Sequence, residues 1–141
     1  MFPEKIISHF GLEPHPEGGW YRQTWIEEAA KGRPAGTAIL YLLSRGERSH
    51  WHTVDATEIW HFYAGSPLTI RLSKTEAGPA REVRLGPDFA ADQHPQVIVP
   101  KDHWQSALAT DGWSLVGCTV SPGFRFDGFT LAPPDFDIPH A

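Results

Sequence analysis

The sequence predicts an all-β domain of the sandwich or barrel kind carrying one short N-terminal helix. Thirteen glycines and thirteen prolines break the 141 residues at short intervals, the punctuation expected of many short strands. The runs between these breaks are rich in β-branched and aromatic residues, which suit a pleated, half-buried surface. Only residues 4–10 (EKIISHF) read as a helix, ended by Gly11 and Pro14. Ten short strands on one chain must close or stack to hide their edges, and a double-sheet jelly roll is one way to do so.

In chain order the predicted strands are Trp20–Ile26, Thr37–Leu43, Ser49–Val54, Glu58–Ala64, Leu68–Lys74, Glu82–Leu85, Gln96–Val99, Trp104–Ala109, Trp113–Ser121 and Arg125–Leu131. Turns are placed at Gly65-Ser66-Pro67, Lys101-Asp102 and Asp111-Gly112, where glycine, proline and aspartate supply the required backbone angles. Residues 27–36 and 75–80 are small, charged and broken by glycine or proline, and read as mobile loops. The tail after Leu131 (APPDFDIPHA) cannot extend a ladder, because proline has no N–H to donate.

At this length one domain spanning 1–141 is expected, burying roughly 65–70% of the surface its unfolded chain exposes. A formal charge of −5 and the lack of a Lys/Arg cluster argue against a nucleic-acid surface. No stretch is long and apolar enough for a membrane span or a signal h-region, so a soluble, cytoplasmic protein is expected. Cys118 is the single cysteine, and its apolar neighbours (LVGCTV) predict a buried, inert thiol.

The chemistry concentrates in GERSHWHTVDATEIWHFYAG, residues 46–65. Five residues separate Gly46 from His52, five separate His52 from Glu58, and six separate Glu58 from Gly65. This spacing resembles the first motif of the cupins, in which imidazoles and a carboxylate point from neighbouring strands into a small barrel that can hold a divalent metal. Three matched positions would also suit a generic sandwich, but the resemblance runs further. EPHPEGGWYRQTW (13–25), TAILYLL (37–43), EIWHFYAGSPL (58–68), PQVIVPKDHWQSA (95–107), LVGCTVSPGFRFDGF (115–129) and LAPP (131–134) occur in this order in the small cupins of the DUF985, or Cupin_5, family. The resemblance implies an RmlC-like double-stranded β-helix, a pocket inside the barrel and a homodimer, with an activity that is unassigned. Asp102 replaces the glycine usual at its position, a change compatible with a left-handed turn.

Two of the usual ligand positions are altered. Val54 stands where the second histidine of a His-x-His pair would fall, and Gln105 where the second motif would place its histidine. On this alignment no cofactor is the leading expectation. Strand alternation offers another set. If His52 points inward then so does His50, and His50, His52 and Glu58, joined by His103, could hold iron, manganese, nickel or zinc. The bland reading leaves His50 and His103 at the barrel rim in water.

Without a metal, a carboxylate inside an apolar barrel has a raised pKa, and His52 and Glu58 could divide proton donation and acceptance, as in an isomerase or epimerase. A Glu58 held only by hydrogen bonds to His52 and Gln105 is the structural alternative. His61 should face away from the pocket by alternation, as a packing or dimer-interface residue. Arg22 is either a surface ion-pair partner, for instance of Glu17, or a contact for a ligand carboxylate or phosphate. Trp60 and Tyr41 are expected as cavity walls, with Gln105 in the polar centre. The expectation is thus a small-molecule site for a sugar-like or carboxylated metabolite. A metal-dependent enzyme and a non-catalytic binding module are the alternatives.

Overall fold

The computed structural model describes residues 2–140. Helix α1 (Pro3–Phe10) begins on a proline, whose missing N–H is unneeded at that position, and ends where Gly11 turns left-handed at φ 66°. Twelve strands follow: β1 (Glu13–Pro14), β2 (Trp20–Glu27), β3 (Gly36–Leu43), β4 (Arg48–Val54), β5 (Thr57–Gly65), β6 (Leu68–Ser73), β7 (Arg81–Leu85), β8 (Gln93–His94), β9 (Gln96–Val99), β10 (Trp104–Leu108), β11 (Ser114–Ser121) and β12 (Phe129–Leu131). They form two six-stranded sheets in the orders β1-β2-β3-β11-β5-β9 and β12-β4-β10-β6-β7-β8. This is the jelly roll expected from the sequence. No helix among the described residues is long and apolar enough to cross a membrane.

Nine of the predicted strands appear within one residue at either end. The tenth does not. Where the sequence predicts a strand over Arg125–Leu131, the chain makes a tight 3-10 turn at Phe126–Gly128, and only Phe129–Leu131 pairs, with β4. Gly128 lies against the turn joining β4 to β5, where a Cβ would fall 2.2 Å from Asp55 Oδ1. Asp102 adopts φ 65°, the left-handed turn its side chain tolerates.

Between the sheets lies a core of Tyr41, Trp60, Leu68, Ile70, Leu85 and Val116, all nearly inaccessible. The uninterrupted apolar run of β3 follows from burial on both faces. Tyr41 and Leu43 enter this core, while Leu42 joins Ile6, Leu12 and Leu115 beneath α1 on the outside of the sheet. The tail does not extend the ladder as a further strand. It packs against the outside of the second sheet, burying Ile138 beside Trp51 and Ala80. The Trp51 indole N–H donates to Asp137 Oδ1 at 2.8 Å. Ile138→Ala should therefore lower the unfolding free energy by about 2–4 kcal/mol, read as an earlier midpoint in a urea titration.

Candidate functional site

The packed core leaves a cavity of about 230 Å³, reached past Phe124 and Phe126 and lined within by His15, Glu17, His52 and Glu58. Its geometry starts from an irregularity in β4. Gln105 of β10 pairs with His52, but Ala107 pairs with Ser49, so His50 and Trp51 both stand opposite Ser106. This bulge inserts one residue and reverses the alternation upstream of it. Ser49 rather than His50 therefore shares the inner face with His52, and its hydroxyl donates to the Glu17 carboxyl. The His50 ring instead bonds the Pro133 carbonyl through Nε2 at 2.8 Å and does not line the cavity.

His52 is 1% exposed. Its Nδ1–H donates to the His50 carbonyl at 2.7 Å, which fixes the tautomer and leaves the Nε2 lone pair free. Glu58 enters from β5, and its Oε1 accepts from Gln105 Nε2 at 2.9 Å. Gln105 Oε1 in turn accepts from the Trp60 indole at 2.8 Å. An indole N–H can only donate, so Trp60 dictates which end of the amide faces Glu58. Trp60, Gln105 and Tyr41 thus stand behind the cavity lining as supports, where the sequence predicts contact residues.

The sequence reading missed the other half of the site. Residues 15–19 form a tight loop in which His15 N–H donates to the Gly19 carbonyl at 2.9 Å and Gly18 N–H to the His15 carbonyl at 3.0 Å. Gly18 has φ 112°, and a Cβ there would meet the Arg48 carbonyl oxygen at 2.1 Å, so only glycine lets the loop lie this close to β4. The Glu17 carbonyl accepts from His50 N–H at 2.8 Å, which fastens the loop to the bulge. Glu17 Oε2 then sits 3.6 Å from His52 Nε2 and 3.4 Å from the Tyr41 hydroxyl oxygen, whose proton is donated to the Gly18 carbonyl. His15 Nδ1 accepts the Glu17 N–H at 3.1 Å, so its proton is on Nε2. The signal was present in Pro14-His15-Pro16-Glu17-Gly18-Gly19, where conformational specialists bracket one imidazole and one carboxyl.

Burial shifts each of these groups towards its neutral form. Burial pushes Glu58 up to about 7, with neighbouring Glu17 adding to the rise while His52, Gln105 and Cys118 oppose it. Burial likewise raises Glu17, against the pull of His15, Ser49 and Tyr41. It lowers both imidazoles, His52 despite its neighbour Glu58 and His15 despite Glu17. The Cys118 thiol, also facing the cavity, is pushed far up by burial and the two carboxyls.

The remaining predicted residues lie elsewhere. Arg22 is exposed, and its Nη1 donates to the Phe10 carbonyl at the end of α1, 3.2 Å away, pairing with neither Glu17 nor a cavity group. His103 is a half-buried turn residue ahead of β10 whose N–H bonds the Pro100 carbonyl. His61 faces outward as alternation requires, bonded to Thr119 Oγ1 at 2.9 Å. Of His50, His52, Glu58 and His103, only His52 and Glu58 meet at the cavity. Among the described residues no three His, Cys, Asp or Glu side chains converge to hold a metal ion. Val54 and Gln105 supply no strong donor, and Glu17 Oε2 accepts from the Ser49 hydroxyl, so this donor set does not fit the metal that cupins often carry.

Two six-stranded sheets closing over a His/Glu cavity define a cupin jelly roll. The chain belongs to the Cupin_5 family, described as cupin superfamily (DUF985), whose profile matches residues 4–132. It is similar to protein SO0799 of Shewanella oneidensis, with 41% identity over 94% of this chain and 85% of that one, at a TM-score of 0.87. A hypothetical protein from Leishmania major is 27% identical over 94% of this chain and 88% of its own, at a TM-score of 0.85. Oxalate decarboxylase of Bacillus subtilis shares the fold alone, at 14% identity over 84% of this chain and 29% of that one, with a TM-score of 0.65. No curated protein matches the chain.

The sign of the Glu58 shift gives a stability test. Because its folded pKa lies above the unfolded value of 4.5, the native state holds the proton more tightly, and stability falls as pH rises from about 4.5 through about 7. Glu58→Gln removes that titration. The variant should match the wild type near pH 5 and exceed it near pH 8 by on the order of 1–3 kcal/mol, measured by chemical denaturation across the range.

Proposed function

We propose that the cavity is a metal-independent acid–base site that shifts a proton on a small polar metabolite, as an isomerase or epimerase does. The carrying observation is the pairing of a neutral His52, whose Nε2 lone pair is free, with a Glu58 carboxyl titrating at about 7. A group with that acidity gives or takes a proton with little penalty near neutral pH. In the simplest sequence, His52 Nε2 removes the proton from a carbon next to a carbonyl while protonated Glu58 donates to the carbonyl oxygen. Return of both protons, with the carbon reprotonated on its other face or at its neighbour, completes the exchange. Gln105 holds Glu58 in place and Trp60 holds Gln105. No step is routed through a metal.

Among the lining residues there is no lysine or arginine. This favours a sugar-like or otherwise non-anionic ligand over a carboxylated one, since Arg22, the candidate anion contact, is engaged outside. The reading keeps the homodimer that the family resemblance implies. Exposed Tyr63 and Ile98, on neighbouring strands β5 and β9, support it.

Incubating the protein in deuterated water with a panel of hydroxycarbonyl and aminocarbonyl compounds tests the chemistry. The wild type should exchange the C–H next to the carbonyl, followed by proton NMR, and His52→Ala and Glu58→Gln should each slow it by about 10²–10⁴-fold. Binding of a panel member without any exchange would instead mark the protein as a binding module.

A further inference from the structure

We propose that the ligand of this cavity is a small organic cation, an amine or ammonium compound, whose positive charge is neutralised by Glu17 and Glu58 against a wall of aromatic rings. The inference rests on reading the cavity as the ligand site, and it names the class of molecule that site takes.

The charge inventory is the first support. Two carboxyls, Glu17 and Glu58, face the cavity, and the side chain of the first is 9% exposed while the second residue is 7% exposed. Among the described residues nothing permanently positive faces them. Arg22 bonds the Phe10 carbonyl on the outside of the sheet. Arg33 is held at 2.6 Å by both Asp55 and the Gly123 carbonyl. Arg48 is exposed and its guanidinium reaches the Pro134 carbonyl. The imidazoles that do face the carboxyls, His15 at 3.4 Å and His52 at 3.6 Å from Glu17, are shifted towards the neutral form by burial. A pair of buried acids without a counter-charge is costly to keep in a fold unless something completes it. A cationic ligand completes it, drawing Glu17 towards the ionised form that burial disfavours and leaving Glu58, at about 7, able to give or take its proton.

The ring arrangement is the second and independent support. His15 packs edge-on against Tyr21 with centroids 4.5 Å apart, and Phe124 packs edge-on against Phe126 at 5.0 Å. Phe129 stands behind them, 6.0 Å from Phe126 and 5.3 Å from His52. Phe126 is 53% exposed although it lines the cavity, so a large apolar ring is left at the mouth. Ring faces attract cations, most strongly where water is excluded. An anion would meet two carboxyls.

The groups that face the two carboxyls are His15 from the loop after β1, Tyr41 from β3, Ser49 and His52 from β4, Gln105 from β10 and Cys118 from β11. At about pH 8 the carboxyls have their greatest tendency to ionise while the imidazoles stay neutral, so a cation should bind best there.

Matched probes of equal shape and different charge provide the test. Choline is paired with its uncharged carbon isostere neohexanol, and cyclopentylamine with cyclopentanol and cyclopentanecarboxylate. Each is titrated into the full chain at about pH 8 while the backbone amide shifts of β4, β5 and β11 are followed. The charged amine of each pair should bind about tenfold tighter than its alcohol, with shifts at His52, Glu58 and Cys118. That advantage should shrink to about threefold or less in Glu17→Gln and in Glu58→Gln. Phe126→Leu, at a half-exposed position, should reduce the choline advantage specifically.

If an alcohol or the carboxylate binds at the same residues as tightly as the amine, the cation is overturned and the cavity stands as the ligand site. An amine preference that persists in both glutamine variants overturns it as well. If no probe shifts the cavity residues, the cation and the reading of this cavity as the ligand site fall together.

Discussion

The β-bulge at His50 and Trp51 is the constraint from which the rest of the site follows. By placing two residues of β4 opposite one of β10, it turns Ser49 inward, sends His50 towards the C-terminal tail and leaves His52 facing the cavity. It also frees the His50 N–H to hold the Glu17 carbonyl. One backbone irregularity therefore decides which imidazole is inside and anchors the loop that brings the second carboxyl. Bulges next to binding sites commonly re-aim side chains in this way.

Burial then sets the chemistry. In water, His52 and Glu17 or Glu58 would form ion pairs near neutral pH. Inside the barrel the desolvation of each charge outweighs the attraction between them, so acids rise and imidazoles fall until the neutral forms compete. Hydrogen bonds fix orientation more than charge here. Trp60 sets Gln105, Gln105 sets one oxygen of Glu58, and the His50 carbonyl sets the His52 tautomer. Each support uses a group that can act in only one direction, which is how a small cavity gains a defined geometry without a metal to organise it.

The fold was largely legible in the sequence because its signals are local. Glycine and proline mark the turns, and strand composition marks what lies between, so nine strands fall within one residue of their predicted ends. Half the site was legible for the same reason, since His52 and Glu58 are fixed by spacing from Gly46 and Gly65. The rest depends on features that periodicity does not carry. Alternation places His50 beside His52, and the bulge undoes it. Trp60 does point into the barrel, but there it is covered by core and bonds Gln105. Arg22 lies one residue from Tyr21, which lines the cavity, and so takes the opposite face. Glu17 belongs to a loop, where no period exists, and only its density of proline and glycine hints that its position is fixed.

The cavity draws His15 and Glu17 from near one end of the chain and Phe124 and Phe126 from near the other, across residues supplied by β3, β4, β5 and β11. No contiguous stretch contains enough of these to form a binding surface by itself. The pocket is therefore a late product of folding, in existence only once both ends have docked on the closed barrel, because such distant pairings carry their loop-closure cost before they return any stability. A proteolytic nick that releases the N-terminal end takes His15 and Glu17 from the cavity, and one that releases the C-terminal end takes Phe124 and Phe126.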